Sequence, residues 1–224
     1  MLSLPKVPIL HRSLTKIMTR PYQTAPSEAY TASTYQRKED HKPKVGNESE
    51  DLYILSLKTD PKHQAHMSQL RKQYFPAKLL KVDAHITLFH ALPGSQLDII
   101  TSDLTSLSSS TRSFPIAAQK PFRMAKGVGM SVSGLAEAES IFTELQSKWW
   151  DSLSTQDRRK FKGHYTLMNK VNDEDEIVKC LHELKRESTC CEGVVTGLQL
   201  FRYDRGFWRH REDFQFHSVP PQGV

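Results

Sequence analysis

Two short segments of this chain share one pattern: a histidine, an apolar residue, a threonine and two more apolar residues. The first runs from His85 to Phe89 and the second, 79 residues further on, from His164 to Met168. Side chains along a β-strand alternate between its two faces, so the histidine and the threonine of each segment point to one side while the residue between them points to the other. The pattern therefore predicts two rigid strands that each present one imidazole and one hydroxyl.

The elements predicted around the two motif strands follow the same order. Each half of the chain reads as strand, helix, motif strand, helix and strand. Such a repeat predicts an α+β fold of two pseudo-symmetric lobes, residues 51–125 and 126–217, with duplicated βαβαβ units and the motif strands face to face at a central cleft. The predicted elements are strands at 52–57, 84–91, 114–124, 127–133, 162–170, 193–203 and 207–216, and helices from 59–61 to 74, at 96–108, at 137–153 and from Asn172-Asp173 onward.

Two motif strands facing one cleft would surround a small anion with an acid, a base and two hydrogen-bond donors. Histidine suits both proton-transfer roles, because its ordinary pKa of about 6.5 lets either protonation state exist near neutral pH. The threonine hydroxyls can donate to oxygens on which negative charge builds up. This equipment can split a phosphate ester without a metal. His90 lies five residues after His85, and a regular strand would send the two to opposite faces, so we expect no shared metal and no cofactor.

Each motif residue also has a structural explanation. A single histidine in an apolar strand is usually a satisfied structural residue, and threonine favours strands by itself. The repetition of the whole pattern favours the functional explanation over the structural one. Phe89 and Met168 share the face of their motif histidines; packing is the expected role of both, and contact with a base is the alternative. Tyr165 is expected to point away from the site.

The charge of the chain indicates a small anionic target. The formal net charge is +6, but residues 1–50 hold eight of the 31 basic and five of the 25 acidic residues, so the rest of the chain carries only half of it. A mildly basic body suits a small anionic substrate or an RNA end better than an extended duplex, which needs a concentrated basic face. Three cysteines without a CxxC pair indicate reduced thiols in an intracellular compartment.

Residues 1–50 are predicted to be a disordered basic leader and linker, and residues 218–224 a short tail. The first 27 residues contain four Lys or Arg, several Ser and Thr and no acidic residue. This composition is typical of a mitochondrial presequence, and a plain disordered tail is the alternative. We therefore expect an intracellular protein in the cytoplasm, with the mitochondrion as the alternative compartment.

The segment Arg202–Arg211 mixes cations with aromatic residues. Such a mixture can hold a nucleotide by pairing with its phosphates and stacking on its base, which makes Arg205 and Arg209 candidate substrate-binding residues. The alternative is a hairpin with Asp204-Arg205-Gly206 as its turn and an exposed polar face.

The duplicated His-x-Thr-x motif in a duplicated α+β chain resembles the 2H phosphoesterase superfamily, which includes 2′-5′ RNA ligase-like proteins and cyclic nucleotide phosphodiesterases. The resemblance covers residues 51–217, and a fungal type of member is one reading of it. It implies antiparallel sheets and two lobes whose motifs line one central cleft. It also implies that His85 and His164 act as general acid and base and that Thr87 and Thr166 bind the phosphate; which histidine is the base stays open.

The function that follows is a metal-independent phosphodiesterase acting on 2′,3′-cyclic phosphates of nucleotides or RNA ends, or on related cyclic phosphates. The expected partner is therefore a nucleotide cyclic phosphate or an RNA end, with no membrane and with the protein as a monomer. One alternative is 2′-5′ RNA ligation, which is the reverse chemistry at the same site. The other is a non-catalytic RNA- or nucleotide-binding protein, which would have no need for both imidazoles.

Overall fold

The computed structural model describes residues 41–46, 49–187 and 190–218. Within them the chain forms strand, helix, strand, helix and strand twice over and then one more strand, so the predicted order of elements is confirmed. The strands are β1 (Leu52–Thr59), β2 (Thr87–Pro93), β3 (Phe114–Met124), β4 (Gly127–Ser133), β5 (His164–Met168), β6 (Cys191–Asp204) and β7 (Phe207–Gln215), and the α-helices are α1 (Pro61–Tyr74), α2 (Leu97–Ser110), α3 (Ala136–Trp149) and α4 (Glu174–Arg186).

These strands form one sheet in the order β2-β1-β6-β3-β4-β5, and β7 pairs with β6 beside β3. Every pairing between them is antiparallel. If β1 is exchanged with β4, β2 with β5 and β3 with β6, the same strand order results, read from the opposite end. The two motif strands, β2 and β5, therefore stand at opposite ends of the order.

The third strand of each unit pairs with the other unit. β3 pairs with β4, and β6 pairs with β1, while β3 and β6 meet each other at the centre of the sheet. The predicted boundary between the two lobes, at residues 125 and 126, therefore separates strands that are paired with each other in the sheet. Sequence order alone could not reveal this exchange, because adjacent strands in the chain need not be partners in the sheet.

Capping residues set the beginnings of two helices. The Asp60 side chain accepts a hydrogen bond from the His63 amide, and Pro61 occupies the first turn of α1, where the proline nitrogen needs no partner. The Asp173 side chain accepts from the amides of Asp175 and Glu176 at the start of α4, as the sequence predicts. The acidic run that follows Asp173 lies at the positive end of the helix dipole.

Part of the predicted linker contacts the folded body. The amide of Lys44 donates to the carbonyl of Ser152 at 3.3 Å, and the Glu50 carboxylate accepts from the amide of Ser95. These contacts differ from the disorder expected for this segment. Residues 1–40 and 47–48 of the predicted leader and linker, and residues 219–224 of the tail, lie outside the described residues. Among the helices that the structure describes, none has the length and apolar character needed to cross a membrane.

Candidate active site

Both motifs line one cleft of about 620 Å³, although their strands stand at opposite ends of the sheet. His85 and Thr87 of the first motif and His164 and Thr166 of the second all line the cleft. The sheet must therefore curl until its outer strands approach the same space. The four residues that the pattern selects come together here.

Each motif histidine is held in the same way by the backbone. Nδ1 of His85 lies 2.7 Å from the carbonyl oxygen of Asp83, and Nδ1 of His164 lies 2.8 Å from the carbonyl oxygen of Lys162. A carbonyl only accepts, so Nδ1 carries the proton in both rings, and Nε2 is the nitrogen left for the cleft. The repetition in the sequence thus extends to ring orientation and tautomer.

The two motif threonines present their hydroxyls to the cleft. Their backbones are fixed in the sheet, where Thr87 is paired with Ser56 and Thr166 with Gly129. Both side chains are half-buried, and neither hydroxyl has a hydrogen-bond partner within the part of the chain that the structure describes. Each hydroxyl can therefore donate to a bound anion without first breaking a protein contact.

His85 lies in an environment that favours its neutral form. Burial, together with the positive charge of Arg71 and smaller contributions from His90 and His164, lowers the pKa of His85 to about 3; the hydrogen bond to the Asp83 carbonyl opposes the shift. The ring also packs against the indole of Trp208, with 4.2 Å between the ring centroids. At neutral pH this imidazole is therefore neutral, and Nε2 carries no proton.

His164 has a different surrounding. The edge of its ring meets the ring of Phe122 from the β3–β4 hairpin, with 5.7 Å between the centroids. Its neighbour Tyr165 points away from the cleft, as predicted, and its hydroxyl lies 3.0 Å from Nε2 of the buried His63. Phe89, the last apolar residue of the first motif, packs against Phe142 and does not face the cleft.

Comparison with known families agrees with this geometry. The sequence profile of the 2′-5′ RNA ligase superfamily, a group within the 2H phosphoesterases, matches residues 59–207, a range that contains both motifs. The chain belongs to this superfamily. Among curated protein sequences, none matches it.

Solved structures of this superfamily type have the same fold. A crystal structure described as a phosphoesterase is 14% identical, with a TM-score of 0.56, and the match covers 75% of this chain and 99% of the other. Escherichia coli LigT complexed with 3′-AMP and a protein from Thermus thermophilus are each 15% identical, with TM-scores of 0.53, and each match covers 75% of this chain and 98% of the other. At this identity the likeness supports the fold: an α+β, LigT-like architecture with an antiparallel sheet.

In this superfamily member a buried arginine joins the two motifs. Arg71 of α1 is 5% exposed; its Nε donates to the carbonyl of Val82 at 3.1 Å, and its Nη1 donates to the carbonyl of Thr166. The guanidinium also lies 3.9 Å from the centre of the Phe75 ring. Burial lowers the pKa of Arg71 to about 10, so it stays positively charged at neutral pH. No spacing in the sequence points to this contact, because its partners lie far apart in the chain.

His90 also lines the cleft, so the expectation that it faces away from His85 is wrong. Two register shifts occur where β1 pairs with β2, so that Thr87 lies opposite Ser56 but Leu92 lies opposite Tyr53. β2 therefore holds extra, bulged residues, which break the alternation and turn His90 towards the cleft. Within the described residues, no group of three His, Cys, Asp or Glu side chains is arranged to hold a metal ion.

A basic loop before β5 forms another wall of the cleft. The helix α3 ends at Trp149, earlier than the predicted 153, and a short 3₁₀ turn leads into this loop. Arg159, Lys160 and Lys162 of the loop line the cleft. The sequence offers a visible signal here, since four of the five residues from 158 to 162 are cations directly before the second motif.

The C-terminal hairpin contributes an aromatic side chain and not the two predicted cations. Arg205 lies in the turn with a φ of 47°, and its side chain is 95% exposed. Arg205 and Arg209 both contact the Asp204 carboxylate, at 3.5 and 3.2 Å, and neither is among the described residues that line the cleft. Trp208, on the other face of the strand, lines the cleft beside His85.

Proposed function

We propose that this protein hydrolyses 2′,3′-cyclic phosphates of nucleotides or RNA ends by metal-independent acid–base catalysis with His85 and His164. The observation that carries the proposal is the matched pair of imidazoles, each with Nδ1 held by a backbone carbonyl and Nε2 left for the same cleft. Superfamily membership supports a phosphodiesterase of this general kind.

His85 acts as the base and His164 as the acid in ring opening. Nε2 of the neutral His85 removes a proton from water, and the oxygen of that water bonds to phosphorus. The bond from phosphorus to one ribose oxygen breaks, and imidazolium His164 gives its proton to that oxygen. The product is a phosphomonoester with a free neighbouring hydroxyl, and proton exchange with solvent restores both rings. The lowered pKa of His85 keeps the ring unprotonated at working pH, as a base must be, and the negative charge of a bound phosphate raises its basicity in the complex.

Thr87 and Thr166 stabilise the charge that develops on phosphorus-bound oxygens. As water attacks, negative charge grows on the two non-bridging oxygens, and preformed donors aimed at them lower the barrier. The hydroxyls suit this task because their strands hold them in place and they have no partner within the described residues.

Binding of the rest of the substrate is assigned to the hairpin. Trp208 offers an indole face for a base next to His85. Arg205 and Arg209 stand outside the cleft, so we assign them a contribution only to RNA that extends beyond it. LigT has been crystallised with 3′-AMP, a nucleotide of the kind that hydrolysis of a cyclic phosphate would produce.

The test measures hydrolysis of 2′,3′-cyclic mononucleotides and of RNA ending in a cyclic phosphate. We expect turnover by the wild type, a loss of at least about a thousandfold in His85→Ala and in His164→Ala, and unchanged turnover in His182→Ala, whose histidine is exposed on α4. Activity should survive EDTA. Loss of activity in EDTA that a divalent metal restores would contradict the metal-free mechanism.

The alternatives have their own outcomes in the same experiment. Binding of nucleotide without turnover by the wild type would identify a non-catalytic binding protein. Joining of a cyclic-phosphate end to a 5′-hydroxyl RNA would identify 2′-5′ ligation. We also propose a monomer, because one chain supplies both motifs, and mass measurement in solution tests this.

The compartment is tested separately. The composition of residues 1–27 leaves the cytoplasm as our proposal and the mitochondrion as the alternative. A fluorescent protein fused to the C-terminus, compared with the same fusion lacking residues 1–27, distinguishes the two compartments.

A further inference from the structure

One side of the cleft holds polar groups that the two-histidine mechanism does not use. His90 comes from the bulged strand β2, and Gln156, Lys160 and Lys162 come from the loop before β5. The one carboxylate among the lining residues is Asp157. This side therefore carries an excess of positive charge next to the proposed reaction centre.

Both oxygens of the Asp157 carboxylate already accept hydrogen bonds within the protein. Asp157 is 2% exposed. One of its oxygens accepts hydrogen bonds from the amide and from Nδ1 of His90, at 2.9 and 3.0 Å. The other oxygen accepts from the Ala91 amide and from the Ser154 hydroxyl, at 3.0 Å each. A carboxylate with four donors has little capacity left for a ligand. Because Nδ1 of His90 points to Asp157, Nε2 is the ring nitrogen left for the cleft.

The basic loop is supported at its backbone. The Gln146 side chain donates to the carbonyl of Asp157 at 2.9 Å and to that of Arg159 at 3.1 Å. The carbonyl of Lys162 accepts from His164, so the loop is tied directly to the second motif. Lys160 and Lys162 are exposed, and neither forms an ion pair within the described residues. Their charges are therefore available to a ligand in the cleft.

Gln156 adds an orphaned acceptor to the same wall. Its Oε1 is buried and has no hydrogen-bond partner among the described residues. A buried acceptor without a donor destabilises the folded chain, and a bound ligand or water can satisfy it. The amide faces the cleft and can offer either its oxygen or its NH₂ group to a ligand.

We propose that His90, Lys160 and Lys162 form a subsite for a second phosphate group on the substrate, in addition to the cyclic phosphate at the two catalytic histidines. The proposal rests on the proposed function and names its substrate class: a cyclic phosphate that carries another phosphate. The cleft volume of about 620 Å³ lies within the range of about 300–1,000 Å³ typical of small-molecule sites, so it has room for a nucleotide with both groups. The second phosphate can be the next phosphodiester of an RNA end or the pyrophosphate of a dinucleotide-like compound.

A binding experiment tests the subsite without requiring turnover. Calorimetry compares 3′-AMP with adenosine 3′,5′-bisphosphate, which differs by one phosphate. We expect the wild type to bind the bisphosphate at least about tenfold more tightly. In Lys160→Ala/Lys162→Ala this ratio should fall to about one. Equal affinity of the wild type for the two ligands would overturn the subsite and leave the proposed hydrolysis untouched.

Two control variants separate a subsite from general attraction. Lys179→Ala/Lys185→Ala removes the same charge from exposed positions on α4, and it should keep the tenfold ratio. An equal loss of the ratio in both double variants would mean unspecific attraction and would overturn the proposal. His90→Asn retains a donor for Asp157 but removes Nε2, so it should lower the ratio in a protein that unfolds at the wild-type temperature.

Kinetics then identify the source of the second phosphate. KM is compared for adenosine 2′,3′-cyclic phosphate, a dinucleotide ending in a cyclic phosphate and ADP-ribose 1″,2″-cyclic phosphate. A lower KM for the dinucleotide alone identifies an RNA end, and a lower KM for the ADP-ribose compound alone identifies a pyrophosphate. The same KM for all three would overturn the subsite, whereas no turnover of any would contradict the proposed function instead.

Discussion

Arg71 donates a hydrogen bond from Nη1 to the carbonyl oxygen of Thr166, and this bond joins the first helix to the second motif. The same guanidinium donates from Nε to Val82, three residues before His85. The buried guanidinium of Arg71 thus joins the segment just before the first motif to the strand of the second motif. Its positive charge also lowers the pKa of His85. The contact gives a physical reason why two ends of a curled sheet keep a fixed relationship at the cleft.

Replacing Arg71 should change the pH dependence of catalysis. The pKa of His85 is lowered by burial and by Arg71, with His90 and His164 acting in the same direction and the Asp83 carbonyl acting against them. In Arg71→Met the pKa of His85 should rise towards 6.5. The acidic limb of kcat/KM should then move up by at least about one pH unit, which corresponds to about 1.4 kcal/mol. The measurement is a pH–rate profile from pH 2.5 to pH 9, a range that includes the acidic limb of the wild type near pH 3.

Arg71→Lys provides the control, because it keeps a positive charge while losing the two-pronged geometry. Its acidic limb should stay nearer to that of the wild type. Thermal unfolding of both variants separates this effect from loss of structure. A folded Arg71→Met protein with an unmoved acidic limb would show that Arg71 is structural and does not tune His85.

Stability should fall as the pH falls from about 6.5 towards 3. Burial lowers the pKa of His63, and burial with the charge of Arg71 lowers that of His85 to about 3. In this window the unfolded chain binds protons that the folded chain does not, so acid favours unfolding, and the full contribution is present above the ordinary histidine pKa. The urea midpoint measured between pH 4 and pH 8 should therefore rise with pH, and less steeply in His63→Gln and His85→Gln. The exposed His182→Gln should keep the wild-type slope, and identical slopes in all four proteins would refute this account.

The motif residues could be predicted because their placement depends on local alternation. His85 and Thr87 are two residues apart on one extended segment, and so are His164 and Thr166, so each pair shares a face whatever the rest of the fold does. The order of elements follows from local periods in the same way. The exchange of β3 and β6 between the units does not, because strand pairing depends on distant parts of the chain.

The residues that the sequence pattern misses depend on non-local structure. His90 reaches the cleft through bulges that exist only where β2 pairs with β1. Arg71 belongs to a helix and finds Thr166 95 positions later. In the hairpin, alternation separates Trp208 from Arg209, but the sequence does not tell which face meets the cleft. That choice is made by the packing of Trp208 on His85.

Trp208 should bind the base of the substrate. Its ring lies 4.2 Å from that of His85 and lines the cleft, and stacking on a base contributes about 1–3 kcal/mol. Trp208→Ala should therefore raise KM for a cyclic mononucleotide by about tenfold, and Trp208→Phe should raise it less. Quenching of tryptophan fluorescence by 3′-AMP should disappear in Trp208→Phe, although Trp149 and Trp150 remain. Quenching that persists unchanged would contradict the stacking role.

Arg205 and Arg209 should matter only for longer substrates. Both lie beside Asp204 at the exposed hairpin turn and outside the cleft lining. Arg205→Ala/Arg209→Ala should keep the wild-type KM for a cyclic mononucleotide and raise KM several-fold for RNA of about ten nucleotides. The RNA effect should shrink as salt increases, because contacts with phosphates release counterions. A raised KM for the mononucleotide would instead mean that Arg205 or Arg209 reaches the substrate inside the cleft.

Asp157 should stabilise the wall of the cleft that carries the basic loop. It is buried and accepts four hydrogen bonds, three of which hold the loop to β2 through His90 and Ala91. Asp157→Ala leaves these donors without their acceptor, and each buried donor left unsatisfied costs about 1–3 kcal/mol. We expect a lower unfolding temperature and faster tryptic cleavage after Arg158, Arg159 or Lys160. Asp157→Asn keeps the shape and one acceptor oxygen and should lie between the two proteins, whereas wild-type unfolding and cleavage in Asp157→Ala would show that the loop is held by other contacts.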